Sequence, residues 1–417
     1  MVGNTYPYSV DDWAADIKEA SANEMCSYLF LRDHSDGFVL NVGREEWLRD
    51  RVSMCFEAAA ASSLPFELFI SIDMSSIPTA APSDVNLLCS YLAAFGKHTR
   101  MFRYQGKVVV STFAGEAATF GQHGGLDAAW SFAKAAMQSV APQIHFIPAF
   151  CIDPARYPTL PCMDGMFGRN GGWPLHLTPA HPRHEIESPA LDTDRHRLHH
   201  LGGRTFMAAH YGPDSWNKNW IYRGDDWLFA RRWEQLIAMR SQIDIVQVIS
   251  WNDYGESHYI CSSVRGAQPA SHAWVDGFPH GAWLRLNRFF ARAFKDGAYP
   301  PIERDQIFMW GRPHPREAYA AESVPRPRNW ELTDDVFWVV VLCTAPASVW
   351  LYTGDSNSQT IEVGAGITKL SRPLEVGEGM RVIIYRRGVA MAKCTADGFE
   401  FQEQPAVYNF NAFTAMS

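Results

Sequence analysis

The chain has 417 residues, 47% hydrophobic and 13% aromatic, with a formal net charge of −8 at pH 7. That length exceeds one ordinary domain and supplies enough apolar residues for a large core. No apolar run reaches bilayer-spanning length and no Lys/Arg run offers a phosphate-tracking surface, so neither membrane nor nucleic acid is expected as a partner.

The opening residues, Met1 to Asn4, are read as a short first strand, without the charged start and apolar stretch of a signal peptide. Val10, Trp13, Ala14, Ile17 and Ala20 then recur at helical spacing, and Ser9 with Asp12 forms a capping-box pattern. Strands are predicted at Gly37 to Gly43, Phe66 to Met74, Lys107 to Phe113, Ile144 to Phe150, Met163 to Phe167, Arg204 to Tyr211 and Asp244 to Trp251. Helical patterns intervene around Trp47 to Ala59, Asp84 to Phe95, Leu126 to Val140 and Asp225 to Met239, and a last one covers Gly281 to Lys295. Eight strand–helix alternations predict a (β/α)8 TIM barrel, and no Gly-x-Gly-x-x-Gly follows an early strand to favour a dinucleotide fold. Residues 299–330 hold six prolines between Pro300 and Pro327 and read as a linker or strap. From Val336 onward, short strands separated by turn residues predict an antiparallel β-sandwich. The expected division is a catalytic barrel over 1–298, a strap over 299–330 and an accessory sandwich over 331–417.

The eight cysteines stand singly, without Cys-x-x-Cys, which excludes a zinc ribbon; they read as buried thiols, with one or two disulfides open to a secreted chain. His196, His199 and His200 lack the His-Glu-x-x-His spacing and read as part of a solvated helix. No metal and no cofactor is expected.

In a barrel of this kind the chemistry lies at the C-terminal strand ends. The richest such junction is Trp251-Asn252-Asp253-Tyr254-Gly255-Glu256-Ser257-His258-Tyr259, directly after the apolar run Ile243 to Ile249. Two carboxylates three residues apart among aromatic rings suit sugar hydrolysis, with one acid, one base and flat faces for pyranose rings. Asp73 closes the apolar run Phe69-Ile70-Ser71-Ile72, where a charge needs a partner or a purpose. Asp253, Glu256 and Asp73 are therefore the candidate catalytic residues. Trp251, Asn252, Tyr254, His258, Tyr259, Trp173, His210, Tyr211, Asn41 and Glu116 are the candidate sugar contacts.

Several segments resemble glycoside hydrolase family 71, the fungal α-1,3-glucanases or mutanases. They are Met1 to Thr5, Phe69 to Met74, Ser111-Thr112-Phe113-Ala114-Gly115-Glu116, Asn217-Lys218-Asn219-Trp220, Trp251 to Tyr259, and Trp310-Gly311-Arg312-Pro313-His314-Pro315. The resemblance implies a barrel followed by a β-sandwich and an extracellular or cell-wall location, although no signal peptide is read in the chain. It implies inverting, metal-free hydrolysis of α-1,3-glucan, with Asp73, Asp253 and Glu256 as the acidic residues. On that basis Glu256 is expected as the acid, Asp253 as the base and Asp73 as a positioning carboxylate, in a monomeric endo-acting enzyme. The chain departs from the family pattern at Cys26 to Ser35, at Gly168 to Trp173 and at Met207 to Trp216. Those departures keep a second reading in view, a weakened or inactive wall protein that binds α-glucan.

Overall fold

A computed structural model describes residues 1–24, 36–141, 143–167, 177–182, 198–202, 219–266 and 271–417. The chain does not open with a strand. Val2–Thr5 is a 3-10 turn, closed by the Thr5 hydroxyl donating to the Val2 carbonyl at 2.7 Å, and the segment has no β-branched run to favour a ladder. Helix α1 (Val10–Ala22) follows, with the Ser9–Asp12 capping box formed in both directions and Trp13, Ile17 and Ala20 turned inward.

Strand and helix then alternate through β1 (Asp36–Val42), α2 (Trp47–Ala61), β2 (Phe66–Asp73), α3 (Val85–Phe95), β3 (Arg103–Tyr104), β4 (Lys107–Phe113), α4 (Gly125–Val140) and β5 (Ile144–Ala149). Strands β1, β2, β4 and β5 are parallel neighbours, with the short β3 antiparallel to β4. Leu40, Ile70, Val110 and Phe146 align in one row across this sheet, and all four are buried. Near-continuous apolar strands of this kind require cover on both faces.

Met163 to Phe167 is not a strand. It runs beside β5, but the N–H groups of Asp164 and Gly165 share the Phe146 carbonyl, while the Asp164 carboxylate takes the Phe146 N–H at 2.8 Å. An Asp-Gly pair in mid-segment replaces the ladder with this side-chain closure. The expected strand Arg204 to Tyr211 and the departure at Cys26 to Ser35 lie outside the described residues. His199 and His200, expected on a helix, instead belong to β6 (Leu198–Gly202), which pairs in parallel with β7 (Ile245–Ile249). The Ile/Val-rich β7 supplies a ladder that overrides the local polarity of the His pair; His196 lies outside the described residues. Helix α5 (Leu228–Ala238) buries Phe229, Trp233 and Leu236, and α6 (Gly281–Asp296) buries Trp283, Leu284, Phe290 and Phe294.

The C-terminal strands are β8 (Gln306–Gly311), β9 (Val336–Cys343), β10 (Ala347–Tyr352), β11 (Ser358–Val363), β12 (Gly366–Pro373), β13 (Arg381–Arg386), β14 (Val389–Thr395) and β15 (Phe413–Met416). They form two antiparallel sheets, ordered β11-β10-β13-β14 and β12-β9-β8-β15. Thus β8 joins a C-terminal sheet from within the Pro-rich stretch, and β12 and β15 are strands the sequence reading did not separate. On β9 the side chains alternate between two cores. Phe337, Val339 and Val341 meet the other sheet, whereas Trp338, Val340 and Leu342 meet the core of the first 300 residues. The same junction holds a buried charge network. Arg223 donates to Asp334 at 2.7 Å, and Asp225 accepts from the Asp334 N–H at 2.8 Å and from Trp338 Nε1 at 3.1 Å. Seven cysteines are described, and all seven are free thiols.

Candidate active site

Strand β7 is buried along its whole length, and the chain leaves it into a loop closed on itself. The Ser250 N–H donates to the His258 carbonyl at 2.8 Å, and the Ser250 hydroxyl accepts from the Asp253 N–H at 2.7 Å. The N–H groups of Ile260 and Cys261 both reach the Trp251 carbonyl at 3.2 Å. A loop pinned at both ends fixes the side chains it carries, which is what a catalytic constellation needs.

Three of those side chains converge. His258 Nε2 lies 2.8 Å from Glu256 Oε2 and 3.5 Å from Asp253 Oδ2. Asp253 and His258 are buried, whereas the Glu256 side chain is 20% exposed and so is the accessible member of the pair. One ligand atom from each of the three falls within 4.8 Å of the others, which also makes this the group among the described residues that could hold a cation. An opposed inverting pair sits about 6.5–9.5 Å apart to admit water, and even a retaining pair needs about 5–5.5 Å. One oxygen of Asp253 lies within 4.8 Å of one oxygen of Glu256.

Asp73 ends β2 with Oδ1 accepting from the Ser75 N–H at 3.0 Å and the Ser75 hydroxyl at 2.5 Å. Period-two geometry puts Asp73 on the same strand face as Ser71. Ser71 lines a cleft together with Asn41, Thr112, Phe113, Gln247 and Asp253. These residues come from β1, β2, β4 and β7 and the loop after it, so one opening gathers the C-terminal ends of the parallel strands. Glu116 stands on the loop after β4, where its Oε2 accepts the Cys151 N–H at 3.0 Å and ties that loop to the end of β5. The neighbouring Gly115 has φ +110°, and a Cβ there would meet Trp130 at 2.7 Å, so this turn requires glycine.

Other expected sugar contacts face inward. Trp251, Tyr254 and Tyr259 are buried and present no surface to a sugar. Trp251 Nε1 donates to Asp16 Oδ2 at 2.9 Å, as does the Tyr8 hydroxyl at the same distance, and Arg265 contacts the other Asp16 oxygen. Burial pushes the Asp16 carboxyl up to about 6, against the opposing pull of Trp251 and Arg265. Tyr259 stacks on His280 with ring centroids 4.0 Å apart and donates to the Phe278 carbonyl at 2.5 Å. Asn252 is buried too, its Nδ2 donating to the Met1 carbonyl at 3.1 Å while its own carbonyl accepts from Asn4 at 2.7 Å. These four brace the loop, because a buried Trp or Tyr must satisfy its polar atom internally, and here Trp251 does so on α1, Tyr254 on Cys261 and the Arg265 N–H, and Tyr259 on Phe278 and Asn411. Trp173, His210 and Tyr211 lie outside the described residues.

Sequence reasoning passed over Tyr222. It is half-buried, and its hydroxyl is pushed up by burial and, more weakly, by the nearby Glu256 carboxylate. Trp220 lies edge-on to it, with ring centroids 6.4 Å apart. The available signal was the Trp-x-Tyr spacing, which puts two aromatics on one face of an extended segment.

The family model for glycosyl hydrolase family 71 matches residues 1–417. A glucan endo-1,3-alpha-glucosidase of Schizosaccharomyces pombe is 33% identical over 420 residues, covering 100% of this chain and 93% of that protein. A mutanase of Penicillium rubens is 26% identical over 426 residues, covering 99% and 86% of the two chains. An ascus wall endo-1,3-alpha-glucanase of Schizosaccharomyces pombe is 29% identical over 379 residues, covering 88% and 83%. With its whole length matched by the family model, the chain belongs to glycosyl hydrolase family 71.

Proposed function

We propose that this protein is an endo-acting α-1,3-glucanase that hydrolyses the glucan of fungal walls with inversion at the anomeric carbon. The observation that carries the reading is the convergence of Asp253, Glu256 and His258 on a pinned loop beside the strand-end cleft, in a chain whose relatives are named for α-1,3-glucan. The fold belongs to the same proposal. The parallel strands are taken as a (β/α)8 barrel over about residues 1–298. The later strands are taken as a β-sandwich braced against it, joined through the strap at 299–330, which lends β8 to the sandwich. The protein is taken to act as an extracellular or wall-located monomer.

Glu256 is the acid in this reading. His258 occupies one of its oxygens, and the other is left to protonate the glycosidic oxygen. The base is placed farther off than Asp253, one of whose oxygens lies within 4.8 Å of a Glu256 oxygen. Asp73 is the candidate, since it shares a strand face with Ser71, which lines the same cleft as Asp253. Asp253, beside the acid, then stabilises positive charge developing on the sugar ring. Proton NMR of a fresh digest tests this. Water attacking opposite an α-linked leaving group gives β-configured reducing ends first. An initial α-anomer would return the base to the role of a nucleophile and overturn inversion.

A further inference from the structure

His258 belongs to the motif that carries the site, yet at 1% exposure it presents almost nothing to a sugar. Its Nε2 instead meets Glu256 Oε2 at 2.8 Å, the length of a charge-assisted hydrogen bond, and Asp253 Oδ2 at 3.5 Å, an electrostatic contact only. The backbone that carries the ring is pinned, because the His258 carbonyl accepts the Ser250 N–H at 2.8 Å and the Ser250 hydroxyl in turn holds the Asp253 N–H. The side chain of Glu256, by contrast, has several rotatable bonds and is 20% exposed. Left to itself it would sample several rotamers and be pushed from Asp253 by like charge.

We propose that His258 is a positioning residue for glycosidic-bond cleavage. Its Nε2–H holds one oxygen of Glu256 so that the other faces the scissile oxygen, and the ring keeps the two carboxylates together despite their repulsion. The inference rests on the proposed glucanase activity.

The test compares His258→Phe, His258→Gln and His258→Asn on α-1,3-linked gluco-oligosaccharides, with thermal unfolding measured alongside. A misplacement of about 1 Å costs on the order of 10²-fold in rate. His258→Phe, which has no N–H to offer, is therefore expected to lose about 10²-fold in kcat, with KM within about threefold of wild type. In His258→Gln the amide N–H₂ reaches the place of ring Nε2, and kcat recovers to within about tenfold of wild type; the shorter Asn does not restore it. If Phe at this site prevents folding, the Gln-against-Asn comparison decides. Wild-type kcat in His258→Phe, or equal loss in folded Gln and Asn variants, overturns the proposal. Crystal structures of the variants read the same point without substrate. The Glu256 carboxylate is expected to be displaced in the Asn or Phe variant and retained in the Gln variant, and an unmoved Glu256 refutes the inference. A wild-type enzyme that releases nothing from α-1,3-glucan would instead refute the glucanase reading, with the crystal structures still deciding the role of His258.

Discussion

Replacing Asp16 by Ala is expected to weaken the protein and its catalysis together, although Asp16 touches no substrate in this account. The carboxylate is 1% exposed and accepts from Trp251 Nε1 and the Tyr8 hydroxyl, both at 2.9 Å, besides contacting Arg265. Removing it orphans the Trp251 and Tyr8 donors in a dry environment, at about 1–3 kcal/mol each. Arg265 is 31% exposed and can turn to water, so the full cost of breaking a buried ion pair does not apply. Together these two orphaned donors give about 2–6 kcal/mol of destabilisation. Trp251 starts the loop that bears Asp253 and Glu256, so its release also loosens the site. Urea unfolding gives the first quantity, and kcat measured well below the midpoint gives the second. A loss under about 1 kcal/mol with unchanged kcat would show that the loop does not depend on this anchor.

Glu256→Gln is expected to lower kcat by about 10²–10⁴-fold with little change in unfolding midpoint, since general acid catalysis has that range and the amide keeps the shape. Asp73→Asn is expected to cost a similar factor, which a rate assay on the folded variant checks; near-normal turnover would remove Asp73 as the base. Burial holds His314 down from 6.5 to about 4, so the stability it contributes is complete above about 6.5 and is lost as pH falls through 4. The loss is about 3 kcal/mol in order of magnitude, and a His314→Gln variant should show a correspondingly flatter stability profile between those pH values. Activity is expected to survive chelation, because Asp253, Glu256 and His258 are read as a hydrogen-bonded set; loss in EDTA restored by a divalent ion would make them metal ligands instead.

Much of the architecture was legible because its signals are local. The Ser9–Asp12 capping box, the apolar strands β1, β2, β4 and β5, and the one-sided helices α5 and α6 each state their conformation within a short window. What failed depended on partners distant in sequence. Met163 to Phe167 looks like a strand until Asp164 turns to cap Phe146, and His199 and His200 look solvated until β7 offers a ladder. The site divides in the same way. Its carboxylates were readable from the motif, but the inward turn of Trp251, Tyr254 and Tyr259 was not, because Asp16, Cys261, Phe278 and Asn411 that receive them belong to no local pattern. The tight Asp253–Glu256 approach was equally invisible, since a three-residue loop spacing permits a wide range of side-chain separations.

The most direct test is to incubate the wild-type protein and Glu256→Gln, both verified as folded, with insoluble α-1,3-glucan and follow new reducing ends. The account predicts steady release of oligosaccharides by the wild type, with β-anomers appearing first, and a rate reduced by at least about 10²-fold in the variant. Binding without release by the wild type, or release by Glu256→Gln at the wild-type rate, would contradict it.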